Sequence, residues 1–337
     1  MRVNLYAFSM TEGNSVIGKI KDKMAVWRDS SPRGRKFFVV VRNIVVQVMS
    51  ILPDVSYAKW FYRTYTGKKL HLEEPQLLNE KMWWLKLNNR DPLLTKCSDK
   101  HLVREYVTEC GYADILIPQV GAYDSAEDID FSKFTEPTIL KCNNNSGGHV
   151  YYDPKYAEDF NETEARHKLA HELKTNYYLI SREWNYKNIP PKIVAEKVIR
   201  DKKGNLPSDY RFFCFDGEPR LLMMDIGVMD QQGRYQHVYP RNIYDMDFNL
   251  LPVRWGRDNY TGHVDKPQSF ERMIEIARKL SQPFPMCRVD LYNLDGNIYF
   301  GEITFYHGGC CQQITPEEWD LKMASWIDLD SPKIVRN

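Results

Sequence analysis

Hydrophobic and polar positions change period several times along this chain. Val16, Ile17, Ile20, Met24 and Trp27 fall at helical spacing with Lys19, Lys21 and Lys23 between them, which predicts a basic amphipathic helix. Ser30-Ser31-Pro32-Arg33-Gly34 then breaks the chain. Residues 36–51 predict a second, more apolar helix closed by Pro53. Its apolar run, Phe37–Leu52, is interrupted by Arg42, Asn43 and Gln47 and is short for a bilayer span. Such helices either pack on the main body or lie in a membrane interface. Further on, Asn79–Asn88, Asp99–Cys110, Asn161–Lys174 and Phe270–Leu280 read as helices. Ser98 or Asp99 would cap the second of these, and Gly111 follows it where a left-handed residue is wanted. Ile115–Val120, Thr138–Lys141 and Lys192–Ile199 read as strands. Tyr210–Phe215 and Arg220–Met224 form a predicted hairpin across Asp216-Gly217-Glu218-Pro219. Met286–Tyr292 and Ile298–Thr304 form another, turned by Asp295-Gly296-Asn297. Hairpins mixed with helices predict an α+β fold rather than a strictly alternating parallel sheet.

Composition narrows the function. The 337 residues are 43% hydrophobic and 27% charged, which excludes a disordered chain. The net charge of +1 argues against nucleic acid as a partner of the whole protein. Residues 1–70 nevertheless carry 13 Lys/Arg against 4 Asp/Glu, and the remainder 33 against 41. That basic segment suits peripheral contact with an anionic membrane or another polyanion. Seven cysteines at irregular spacing, with no C-x-x-C, predict free thiols in a reducing compartment. Met1 leads into a polar stretch rather than an export signal. A cytoplasmic protein, with peripheral membrane association as an option, is expected.

Three segments carry candidate chemistry. In the last hairpin, Arg288 and Asp290 share one strand face, and Glu302 and Thr304 share a face of the partner strand. If the two faces coincide, an arginine, two carboxylates and a hydroxyl converge where a hard cation and a phosphoryl group could be held; otherwise they form a charged outer face. Lys141 ends a strand and runs into Asn143-Asn144-Asn145-Ser146-Gly147-Gly148-His149, a stretch able to cradle phosphate, though it is no Walker A loop. Glu196-Lys197-Val198-Ile199 ends a third strand with an acidic residue that could accept hydrogen bonds from an adenine amino group or a ribose. His167 and His171 share a helix face but lack the glutamate of a metalloprotease helix, and read as surface residues. His149 and His307 flank the proposed phosphates in sequence, Cys310-Cys311 follows the last hairpin, and Arg211 and Arg220 lie on the first as candidates for an anionic acceptor.

In that order, the segments resemble the ATP-grasp superfamily, and more closely its TupA-like branch, over residues 75–325. Lys100, after Ser98-Asp99, resembles the first nucleotide-binding lysine. Lys141 with Ser146, Gly147, Gly148 and His149 resembles the second lysine and the phosphate loop. Glu196, Lys197, Val198 and Ile199 resemble the adenine hinge, and Asp209 a ribose ligand. Arg288-x-Asp290 followed by Glu302-x-Thr304 is similar to the R-x-D…E-x-N pattern that binds magnesium and the transferred phosphate; threonine stands here where the pattern has asparagine.

The resemblance implies two α+β lobes enclosing ATP: a basic helical extension (1–70), an N-terminal region (71–135), a small lobe (136–200) and a large lobe (201–337). It implies an ATP- and Mg²⁺-dependent carboxylate–amine ligase working through an acyl-phosphate. Lys141 and Arg288 would be catalytic and Asp290, Glu302 and Thr304 would hold the metal. The implied partners are an amine and a carboxylate, small or part of a cell-surface polysaccharide such as teichuronopeptide or capsule. A sugar phosphotransferase and an inactive nucleotide-binding partner in polysaccharide assembly are the alternatives.

Overall fold

The computed structural model describes residues 51–202, 204–228 and 238–336, with isolated positions 31, 33, 34, 40 and 48 before them. The helices expected over residues 16–27 and 36–51 therefore lie outside the described residues, apart from those isolated positions. Among the described residues no helix is long and apolar enough to cross a membrane.

Two antiparallel sheets organise the rest. The smaller has the order β1-β4-β2-β3, from Gln119–Tyr123 (β1), Thr138–Cys142 (β2), Val150–Tyr152 (β3) and Ile193–Lys197 (β4). Alternation along β2 and β4 sends Leu140, Cys142, Ile193 and Ala195 into a core with Phe131, Phe134 and Tyr152. Ala165 and Leu169 of helix α5 (Glu162–Leu173) belong to the same core. The other face of these strands carries Lys141 and Glu196.

The larger sheet has the order β10-β9-β5-β6-β7, from Ser208–Phe215 (β5), Glu218–Asp225 (β6), Arg241–Tyr244 (β7), Met286–Leu294 (β9) and Asn297–Thr304 (β10). Both predicted hairpins are present, each with longer strands than expected. One face of this sheet buries Phe212, Val289 and Leu291 in a core shared with helix α7 (Phe270–Ser281), whose Phe270, Met273, Ile276, Ala277 and Leu280 are buried along one stripe. The same core takes in helices α1 (Asp54–Thr66), α2 (Leu78–Asn88), α3 (Pro92–Ser98), α4 (Val103–Glu109) and α8 (Glu317–Ser325). A two-stranded sheet of Arg254–Trp255 (β8) and Ile314–Thr315 (β11) closes one edge, and a short helix, α6 (Tyr177–Ser181), lies between α5 and β4.

Two expected elements differ. The helix expected over Asp99–Cys110 is shorter, Val103–Glu109, and a separate helix, α3, ends just before Asp99. The Asp99 carboxylate accepts from the N–H of His101 (2.8 Å) and of Leu102 (3.3 Å), which turns the chain between the helices. The strand expected over Ile115–Val120 starts later, at Gln119, after a 3₁₀ turn at Ala113–Ile115.

Candidate active site

A β-bulge decides whether the last hairpin makes a site. The turn at Asp295-Gly296 pairs Asn297 with Leu294 and Phe300 with Leu291. Continued unbroken, that register would set Glu302 against Val289, on the core side. A bulge between Phe300 and Glu302 shifts the pairing by one residue, so Glu302 opposes Asp290 and Thr304 opposes Arg288. Gly301 permits it: a Cβ there would stand 2.9 Å from the Asp290 carbonyl oxygen. Arg211 of β5 lies opposite Asp290 on its other side. Glu302, Asp290 and Arg211 thus form one row across three strands.

That row faces the small sheet. A cavity of about 260 Å³ is lined by Lys100 and Arg104, by Lys141 and Glu196, and by Asp209, Arg211, Arg288, Asp290 and Glu302. Both lysines that the resemblance assigned to nucleotide binding therefore share one cleft with the arginine and carboxylates of the last hairpin. Side-chain bonds cross the gap between the lobes: Asn143 Nδ2 donates to the Asp99 carboxylate at 2.8 Å, and Lys100 donates to the Asn145 carbonyl. Burial lowers the Lys100 pKa; Glu302 opposes that and Lys141 adds to it.

The large-sheet wall is densely bonded. The Arg288 guanidinium donates to both Asp290 oxygens (2.6 and 2.5 Å), to Glu302 Oε1 (2.7 Å) and to His307 Nδ1 (2.6 Å). Arg211 pairs with Asp209 and Asp225, and Asp225 is gripped by Arg241 at 2.6 and 3.0 Å. Desolvation pushes the Asp290 pKa up, with Asp209 and Glu302 adding to it against the pull of Arg288. Desolvation works the same way on Glu302, but Arg288, the Thr304 hydroxyl, Lys100 and Arg211 hold it down to about 2.

The small-sheet wall is looser. Lys141 donates to Glu196 at 3.0 Å, and Arg104 approaches the same carboxylate at 3.5 Å. The Glu196 side chain here serves as counter-ion to Lys141. Past it, the Lys197 N–H donates to Pro118 and the Val198 N–H to Pro137, and Lys197, Val198 and Ile199 do not line the cavity. In the loop after β2, Asn143, Asn144 and Asn145 are buried and bonded to the chain around them. The phosphate-loop expectation is thereby confined to Ser146–His149, which also lie outside the cavity lining; Gly148 takes a positive φ against the Glu172 side chain, where a Cβ would collide at 2.4 Å.

The remaining candidates fall as follows. Thr304 donates to Glu302 Oε1 at 2.7 Å. Asp209 keeps one buried carboxylate oxygen without a partner, beside the cavity. His307 stands behind Arg288 instead of flanking the cleft. Cys310 and Cys311 do not line the cavity, and burial pushes their thiols up to about 11 and about 12. Arg220 stacks over Trp326, 5.3 Å from the ring centroid. His167 and His171 are exposed. Sequence reasoning missed Asp225, Arg241 and Gln312, which complete the bonding behind Arg288. It also missed Glu183 and Lys86, both buried; desolvation raises the Glu183 carboxyl to about 7, partly offset by Lys86. The one available signal was phase: Leu221, Met223 and Asp225 alternate onto the face that carries Arg211.

The model of the TupA-like ATP-grasp family matches residues 80–327, a span holding both sheets and every residue of the cleft. The chain belongs to the TupA-like ATP-grasp family. Its ATP-grasp fold is the α+β architecture that the resemblance implied. Among solved structures, the chain is similar to D-alanine–D-alanine ligase from Bacillus anthracis complexed with ATP (16% identity, TM-score 0.35, covering 62% of this chain and 54% of that one). It is also similar to D-alanine–D-alanine ligase from Helicobacter pylori (14%, TM-score 0.40, 77% and 68%) and L-amino acid ligase from Bacillus licheniformis (14%, TM-score 0.42, 68% and 49%). This chain thus spans about half the length of the first and last of these. No curated protein matches it.

The residues of this ATP-grasp cleft fit the groups the family implies. Among the described residues no three His, Cys, Asp or Glu side chains stand together as a metal site. Asp290 and Glu302 nevertheless oppose each other, with the Thr304 hydroxyl beside them; these are the oxygen donors a hard cation takes. Asp209, with its free buried oxygen, fits a hydroxyl donor such as a ribose.

Proposed function

We propose that this chain is an ATP-dependent ligase that joins a carboxylate to an amine through an acyl-phosphate. The supporting observation is the single cleft in which Lys100, Lys141 and Arg288 converge from two lobes on Asp209, Asp290 and Glu302. The reaction must bring a carboxylate against a triphosphate, and mutual repulsion is the obstacle. Lys100, Lys141 and Arg288 supply fixed positive charge in a desolvated space, where it counts for more than in water. Asp290, Glu302 and Thr304 would hold Mg²⁺, which screens charge on the phosphates when bound. Ser146–His149, outside the cavity lining here, would close over the phosphates and exclude water. The amine would then displace phosphate and form the amide.

For the substrates, membership of the TupA-like branch favours a uronic acid or other acidic residue of a cell-surface polymer, joined to an amino acid or amine. The basic residues of 1–70 suit an anionic polymer or membrane surface. Crossing uronic acids and sugar nucleotides with amino acids, and reading ADP release and product mass, tests this reading. The expected result is an amide product and stoichiometric ADP that need both partners and Mg²⁺, abolished in Asp290→Asn and Glu302→Gln variants that stay folded. A phosphorylated sugar formed without any amine would identify a phosphotransferase instead. Nucleotide binding with no ADP release from any pair would identify an inactive partner.

A further inference from the structure

The interactions behind Arg288 close into a ring, and the reaction outlined above uses only two of its members, Arg288 and Asp290. Starting from Arg288, it runs through hydrogen bonds to His307, Gln312, Arg241, Asp225 and Arg211, then by a 3.8 Å ion pair to Asp290, and so back to Arg288. His307 Nε2 lies 3.1 Å from Gln312 Oε1, and the same oxygen accepts from Arg241 at 3.0 Å. Gln312 is half-buried and held by several neighbours. Asn79 donates to its carbonyl at 2.8 Å. A Cβ on Gly308 would collide with its side chain at 2.6 Å, and one on Gly256 would crowd its amide oxygen at 3.0 Å. The imidazole packs edge-on against Phe213 and Trp255, with centroids 5.1 and 5.3 Å away.

This arrangement fixes where the His307 proton sits. A guanidinium only donates. Arg241 therefore requires an acceptor in Gln312, which makes the facing atom Oε1, so His307 Nε2 must carry the hydrogen. Arg288 is an obligate donor on the opposite side, so His307 Nδ1 must be bare. Two arginines, one direct and one through an amide, thus select a single neutral tautomer. Burial, then Arg288, Arg241 and Arg211, depress the His307 pKa well below its usual value, which agrees with that assignment.

We propose that His307 is a positioning residue for Arg288, a neutral tether that keeps the guanidinium aimed while Asp290 and Glu302 are engaged elsewhere. The proposal rests on the ligase reading. The two carboxylates that now hold Arg288 are the donors that would take a divalent cation, and their grip on the arginine weakens when they do. The bond from His307 Nδ1 is not in that competition, because it comes from the far side of the guanidinium.

Two variants and one spectrum test the tether. Asn at 307 can place an amide oxygen near the Nδ1 position; Gln places its amide nearer Nε2. His307→Asn should keep kcat within about tenfold of wild type, whereas His307→Gln should lose about 100-fold in kcat with little change in KM for ATP. In ¹⁵N-histidine spectra of the nucleotide-free protein, His307 should show a bare Nδ1 and a protonated Nε2, unchanged from about pH 8 to about pH 5. Equal losses in both variants, a protonated Nδ1, or titration near the usual histidine range would overturn the proposal. The spectrum needs no turnover, so the predicted tautomer in a protein that releases no ADP would retire the ligase reading and leave the Arg288–His307 bond standing.

Discussion

The two walls of the cleft are built differently. On the large sheet, four acids and three arginines bond to one another at short range, and the arginines keep few donors free. On the small sheet, Lys141 and Glu196 form one partly exposed pair, and the loop beyond them is held by its asparagines and by Lys168, which donates to the His149 carbonyl at 2.7 Å. A wall that must hold fixed charge against a developing negative centre gains from this cross-bonding, since its dipoles need not reorganise. A wall that must admit and release a nucleotide gains from having little to break. Stability and catalysis should therefore respond differently to changes on the two sides.

The largest effect belongs to the densely bonded wall. Asp225→Ala leaves the half-buried Arg211 and the buried Arg241 without their shared counter-ion, and should cost about 3–5 kcal/mol in urea unfolding. A loss below about 1 kcal/mol would mean that the ring is not cooperative.

Glu183, on the segment between the sheets, gives a pH signature of nearly that size. Its carboxyl is raised to about 7 in the folded protein, above an unfolded carboxylate. Its contribution to stability is therefore full at low pH and is lost as pH rises through about 7. Glu183→Gln should lack that decline, and should gain on the order of 3 kcal/mol relative to wild type by alkaline pH, with little difference in acid. Parallel stability curves for the two proteins would remove the buried charge from the account.

Gly301→Ala probes the bulge. With a Cβ 2.9 Å from the Asp290 carbonyl oxygen, the strand must shift, costing about 1–3 kcal/mol in strain. ADP release should fall more than stability does, because Glu302 is displaced from Asp290. Normal activity would show that the register does not matter.

The smallest stability effect is expected on the other wall. Lys141→Met removes an ion pair with a partly exposed lysine, and should change stability by no more than about 1 kcal/mol. The same change should weaken nucleotide binding about tenfold, measured by calorimetry, because a fixed charge is lost from the cleft. A Lys141→Met variant that unfolds readily would erase the contrast between the walls.

Much of the fold was legible in the chain, and the rest was hidden for physical reasons. Alternation and Asp-Gly turns located both hairpins, and the resemblance to the ATP-grasp superfamily implied that Lys141, Arg288, Asp290 and Glu302 share one cleft. Alternation could not supply the bulge. Read strictly from the Asp295-Gly296 turn, the pattern places Glu302 against Val289, and only the packing at Gly301 corrects it. The helix expected over Asp99–Cys110 starts only at Val103 because the chain first turns on the Asp99 carboxylate, which accepts from the His101 and Leu102 N–H groups. Asp225 and Arg241 lie far in sequence from the His307–Gln312 segment and share no motif with it, so nothing short of the fold brings them together. The adenine hinge implied by the resemblance covers Glu196, Lys197, Val198 and Ile199, and of these the Glu196 carboxylate is engaged by Lys141 and Arg104.

The central claim is that both walls grip one triphosphate. A crystal structure of the protein with Mg²⁺ and a non-hydrolysable ATP analogue addresses it most directly. The account predicts phosphate oxygens within hydrogen-bonding distance of Lys100 or Lys141 on one side and of Arg288 on the other, with the cation on Asp290 and Glu302. A nucleotide seated outside the cleft, or phosphates touching only one wall, would contradict it.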